Sequence, residues 1–80
     1  MNRYSIPART GYEVVVGWDR PMASYFAQVY GADGEVLLDR GDALDRLNSP
    51  HHAINLVRGY VIAIPNGFAD DLRALAYPLD

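Results

Sequence analysis

The sequence predicts an α+β fold: a three- to four-stranded antiparallel β-meander packed on one face by two C-terminal helices, all within one domain spanning residues 1–80. Three observations carry this. Two strand-type runs are joined only by a proline corner, an Asp-Gly turn leads into a third run, and the apolar spacing turns helical after Gly41. Connections this tight join antiparallel neighbours, because parallel ones need crossovers of about a dozen residues.

The first strand is Tyr12 to Asp19, a β-branched and aromatic run in which Val14, Val16 and Trp18 share a face under period-two alternation. Pro21 fixes its own φ, lacks an amide donor and forces Arg20 to be extended, so Asp19-Arg20-Pro21-Met22 is a turn. The second strand, Ala23 to Tyr30, sets Ser24, Phe26, Gln28 and Tyr30 against Tyr25, Ala27 and Val29. Aromatics occur on both faces, so periodicity leaves the buried face open. Gly31-Ala32-Asp33-Gly34 reverses the chain, and Glu35 to Asp39 forms a short third strand. Tyr4 to Ile6 is a candidate additional edge.

Asp42 to Leu47 is expected to form a helical turn. Ser49-Pro50 then opens a helix, with a side-chain oxygen for the free amides and proline where its missing N–H costs nothing. Ala53, Leu56, Val57 and Tyr60 form its apolar stripe, and Gly59 suits its end. Tyr60 to Ile64 fits a short strand or a buried connector equally well. A second helix is marked by Phe68, Leu72, Leu75, Ala76 and Leu79, by Asp70 and Asp71 at its positive end, and by Pro78 as its stop.

Half the residues are apolar and 21% charged, a globular composition. Cysteine is absent, which removes disulfides, thiolate zinc sites and cysteine nucleophiles and agrees with a reducing cytoplasm. Met1 to Pro7 lacks the apolar run of a secretory signal, and no stretch approaches the roughly 20 apolar residues of a membrane span. A net charge of −3, with seven Arg and no Lys, argues against a general nucleic-acid binder.

Catalytic signals are weak. His51 and His52 are adjacent, so on a helix their rings diverge by about 100° and cannot share an ion. Ser5, Ser24 and Ser49 lack a nucleophile-elbow context. Asp70-Asp71 answers a helix N-terminus electrostatically, and Gly31 to Gly34 precedes a strand rather than a phosphate-holding helix. The expectation is therefore a non-catalytic protein with neither cofactor nor metal.

Two features point to a partner surface. Asp33, Glu35, Asp39, Asp42 and Asp45 face only Arg40 within residues 33–45, a local charge of −4, whereas residues 1–12 carry two Arg and no acid. Such an edge steers onto a basic partner; it also blunts strand aggregation. Glu35 and Asp39 on one strand face stand about 13 Å apart at about 3.3 Å per residue, too sparse for a full DNA mimic. At the corner, Asp19 can accept from turn amides and Arg20 can stack on Trp18 or Tyr25, yet Trp and Arg are also hot-spot residues.

The block VVGWDRPMASYFAQVY, residues 15–30, and the later IPNGFADDLRAL, residues 64–75, resemble a family of small bacterial proteins associated with mobile elements. In size and composition the whole chain is similar to a type I-C anti-CRISPR protein, and the likeness is strongest over residues 12–39. The resemblance implies an inhibitor that binds a subunit of a CRISPR surveillance complex and blocks target-DNA binding or nuclease recruitment. It assigns no contact residues. It implies a protein partner, no direct nucleic-acid or membrane contact, and a monomer rather than a dimer. The competing expectation is a regulatory module of a phage or plasmid, antitoxin-like or for plasmid maintenance, which would show an apolar edge and dimerise.

Overall fold

The computed structural model describes residues 3–42 and 44–76. Its strands are β1 (Arg3–Ile6), β2 (Glu13–Asp19), β3 (Ser24–Tyr30) and β4 (Val36–Arg40), and its helices are α1 (Pro50–Val57) and α2 (Phe68–Ala76). The strands form one antiparallel sheet in the order β1-β2-β3-β4, so the meander and its additional N-terminal edge are both present.

One face of the sheet carries the core. Val14, Val16, Tyr25, Ala27 and Val29 are buried there against Ala53, Ile54 and Val57 of α1 and Phe68 and Leu72 of α2. This assigns the face of β3 that alternation left open: Tyr25, Ala27 and Val29 point inward. Tyr4 on β1 meets Phe68 edge to face with centroids 5.6 Å apart, which ties α2 to the sheet edge. Trp18 packs at the rim of the core, its ring 4.9 Å from that of Tyr25.

Helix α1 begins as its sequence dictates. Ser49 caps it by accepting a hydrogen bond from the His51 amide at 3.2 Å, with Pro50 in the first turn. Its buried stripe is Pro50, Ala53, Ile54 and Val57, whereas Leu56 and Tyr60 are half-buried at its margin. Gly59 does not end the helix in a left-handed cap; it lies within a 3₁₀ turn, Arg58–Tyr60, that tightens the exit. Beyond it the chain is a connector rather than a strand. Val61 is buried and bridges Ala8, but Ile62 is 70% exposed. Pro78, expected as the stop of the second helix, and Leu79, expected in its apolar spacing, lie outside the described residues.

Among the described residues of Asp42 to Leu47 no helical turn forms. Asp42 Oδ1 accepts from the amides of Leu44 and Asp45, both at 2.8 Å, and a side chain that serves nearby amides in this way competes with helix formation. The loop returns at Leu47, which is fully buried and pairs with Tyr25, continuing the position of β4 beside β3. Ser24 fixes this return: its buried Oγ accepts from the Leu47 amide at 2.9 Å and donates to the Tyr25 carbonyl at 2.7 Å.

Candidate binding face

Both helices lie on one side of the sheet, and among the described residues no element crosses the other. Alternation and register place on this uncovered face Arg3 and Ser5 from β1, Val15 and Gly17 from β2, Phe26, Gln28 and Tyr30 from β3, and Asp39 from β4. One cross-strand row runs Arg3, Gly17, Phe26, and the next runs Ser5, Val15, Gln28, Asp39. Val15 is only 1% exposed, although it belongs to no part of the core cluster, so its neighbours on this face enclose it.

Gly17 is buried in the row between Arg3 and Phe26. A depression of about 270 Å³ lies on this face, lined by Arg3, Asp19, Met22, Phe26, Gln28, Asp39, Gly41 and Asp42. Two segments that are separate in sequence meet at it. Asp19 comes from the proline corner, and Asp39 and Asp42 come from the acidic edge. Three carboxylates thus surround a floor of Phe26 and Met22. Arg3 contributes a cation to the wall but forms no ion pair with any of the three among the described residues.

Several of these groups are held in place. Tyr30 donates its hydroxyl to Gln28 Oε1 at 3.1 Å, and Gln28 Nε2 donates in turn to Asp39 Oδ1 at 3.5 Å. Asp19 Oδ1 accepts from the Met22 amide at 3.2 Å, the turn contact expected of it. Gly41, at φ +101°, presses so closely on β3 that a Cβ there would collide with the Tyr25 carbonyl oxygen.

The remaining sequence candidates disperse. Asp33 and Glu35 are exposed at the β3–β4 turn. A β-bulge between Val29 and Tyr30 of β3 and their β4 partners puts Val36, not Glu35, on the face of Asp39, so the expected Glu35–Asp39 face is broken. Asp45 is paired: Arg40 donates to both of its carboxylate oxygens through Nε and Nη2. That hydrogen bonding, aided by the Arg40 charge, the Gly41 amide and the charge of His52, holds the Asp45 carboxyl below its ordinary range and raises Arg40, against a partial opposing desolvation. Trp18 meets Tyr25 edge to face, and Arg20 is exposed in the turn.

A second depression, about 410 Å³, lies between α1 and the start of α2 and includes His51, Arg58 and Asp70. His51 and His52 are exposed, and Asp70 pairs with Arg73 at 2.9 Å. Among the described residues no three His, Cys, Asp or Glu side chains converge as a metal site, and no helix is long and apolar enough to cross a membrane.

Sequence reasoning singled out the carboxylates but missed the floor. Phe26, Gln28 and Tyr30 gave no signal before the register was known. No protein-family model matches the chain, and no curated protein and no solved structure matches it significantly.

Proposed function

We propose that the protein works by occupying the surface of another protein, with the uncovered sheet face and its acidic rim as the contact. The observation that supports this most is the meeting of Asp19, Asp39 and Asp42 around an aromatic floor on a face that neither helix covers. An apolar centre with a charged rim has the anatomy of a protein interface, and fixed negative charge steers it onto a basic surface. In the finer reading, which rests on the resemblance of residues 15–30 and 64–75, it is a cytoplasmic inhibitor of a type I-C CRISPR surveillance complex. Such a complex holds its guide and target in a positively charged channel, the complement of this rim.

The test is co-purification with a purified type I-C surveillance complex, followed by target-DNA binding with and without the bound chain. Association together with loss of DNA binding or of nuclease recruitment is expected. No association at micromolar concentrations overturns the finer reading.

A second reading has its own observation. Val36 is 56% exposed and Leu37 39% exposed on β4, a terminal strand of the sheet, which is the apolar edge expected of a self-associating regulatory module. Sedimentation equilibrium separates the two readings: a monomer supports the inhibitor, and a dimer lost on Val36→Lys supports the module.

A further inference from the structure

We infer that the free edge of β4 takes an added strand from the protein partner, an extended segment in which basic residues alternate with aliphatic ones. The inference deepens the proposed function and rests on its reading of the chain as a binder of a basic protein surface. It starts from the unlike treatment of the two edges of the sheet.

The β1 edge is tied down. Beyond Ile6 the chain runs on through Pro7 to Arg9, and this continuation pairs with residues 60–62. Ala8 bridges Val61, the Ile62 amide donates to the Pro7 carbonyl at 3.1 Å, and the Arg9 amide donates to the Tyr60 carbonyl at 2.9 Å. Tyr4 is held against Phe68 of α2. The β4 edge has no such cover. Val36–Arg40 pairs with β3 on one side, and among the described residues no backbone is hydrogen-bonded to its other side.

An edge strand keeps a row of unpaired N–H and C=O groups, which proteins ordinarily blunt with lysine, proline, a bulge or a covering loop. β4 contains neither lysine nor proline. Its bulge lies near its start: Leu38 stands opposite Val29 and Val36 opposite Tyr30, so Leu37 has no partner in β3. From Leu38 to Arg40 the register is regular. Val36 and Leu37 are 56% and 39% exposed, an apolar pair beside the open edge. Main-chain hydrogen bonds to such an edge supply affinity, and alternate side chains supply specificity.

Charge decides the occupant. Arg40 is engaged by Asp45, and among the described residues no arginine pairs with Asp33, Glu35, Asp39 or Asp42. A second copy laid along β4 would bring its own residues 33–45, with a charge of −4, against this one. Like charges opposed across a strand pair destabilise it, and opposite charges stabilise it. A strand bearing arginine or lysine meets the acids, and its aliphatic residues pack on Val36 and Leu37.

The experiment adds to the whole chain an N-acetylated heptapeptide amide that alternates arginine with valine, and records amide ¹H–¹⁵N spectra and hydrogen exchange. Shifts are expected along Val36 to Arg40, with slowed exchange of the amides there that point away from β3. Methylating the backbone nitrogens of the peptide keeps its charge and side chains but removes its donors, and should abolish binding. Replacing its arginines by glutamates should weaken binding about tenfold or more, and Val36→Lys, a change at an exposed position, should weaken the arginine peptide about tenfold.

Unmoved β4 amides, undiminished binding of the methylated peptide, equal binding of the glutamate peptide or full affinity in Val36→Lys would overturn the inference. A concentration-dependent dimer without peptide, lost in Val36→Lys, would also overturn it, by giving the edge to a second copy. The proposed function is judged separately. If the chain binds the surveillance complex while the peptide leaves β4 unmoved, the added strand fails and the binding reading stands. If the peptide adds to β4 but the complex does not bind, the added strand stands and that partner is removed.

Discussion

Ser24 shows how much a single hydroxyl can hold. Its Oγ is buried and bridges the Leu47 amide and the Tyr25 carbonyl, so it supports the backbone bridge that closes the loop after β4. Ser24→Ala leaves that amide without its partner, and urea unfolding should show a loss of about 1–3 kcal/mol. Gly41 and Gly34 both have positive φ, at +101° and +80°, but their surroundings differ. A Cβ at Gly34 meets nothing within 4 Å, whereas one at Gly41 strikes β3 backbone. Gly34→Ala should therefore cost about 1 kcal/mol from backbone strain, and Gly41→Ala clearly more, as read from paired melting curves. Asp42 carries a lesson for site mapping: the residue lines the depression while its Oδ1 holds the loop amides of Leu44 and Asp45. Charge reversal there confounds binding with folding, while Asp42→Asn keeps the accepting oxygen.

At the scale of elements, the described part of the loop after β4 is organised by the Asp42 acceptor and the Arg40–Asp45 pair, and it presents Leu44 at 99% exposure. The Asp45 carboxyl is held below its ordinary range, so its contribution is present above the unfolded-state pKa and is lost as pH falls through the lower folded value. Melting temperatures of the wild type and Asp45→Asn should differ slightly at neutral pH and converge in acid, the small size following from the exposure of both partners. Helix α2 is fastened by Leu72, fully buried in the core, and Leu72→Ala should cost about 3 kcal/mol by chemical denaturation. Most elements were legible beforehand for local reasons. Valine alternation at 14 and 16, Ser49-Pro50 and Asp33-Gly34 each fix geometry within a few residues. The Asp42 to Leu47 segment was misread because its helix-like composition is overruled by a long-range contact, the Leu47–Tyr25 bridge, and by the side-chain bonds of Asp42. The Glu35–Asp39 face failed because a bulge shifts the alternation, and one strand alone does not reveal a bulge.

At the scale of the molecule, two helices cover one side of a four-stranded sheet, and among the described residues no element covers the other. The candidate site lies where that uncovered face meets the edge strand β4. Its carboxylates could be read in the sequence as a charge excess, but their convergence could not. Asp19 and Asp39 are brought together by the register of three strands, and the ring of Phe26 reaches the same depression only because Tyr25, Ala27 and Val29 take the core. Steering by fixed charge implies that association with a basic partner slows and weakens as ionic strength rises, because exposed charges more than about 8 Å apart are screened at 0.15 M salt. Stopped-flow association rates between 50 and 300 mM salt should fall steadily for the wild type and less steeply for Asp39→Asn.

The most direct measurement is the dissociation constant for the purified type I-C surveillance complex with three proteins: the wild type, Asp39→Arg on the uncovered face, and Arg58→Glu on the helical side. Asp39→Arg should bind about tenfold more weakly or worse with its melting temperature unchanged, and Arg58→Glu should bind as the wild type does. Full affinity in Asp39→Arg, or a loss confined to Arg58→Glu, would contradict the assignment of binding to the uncovered sheet face.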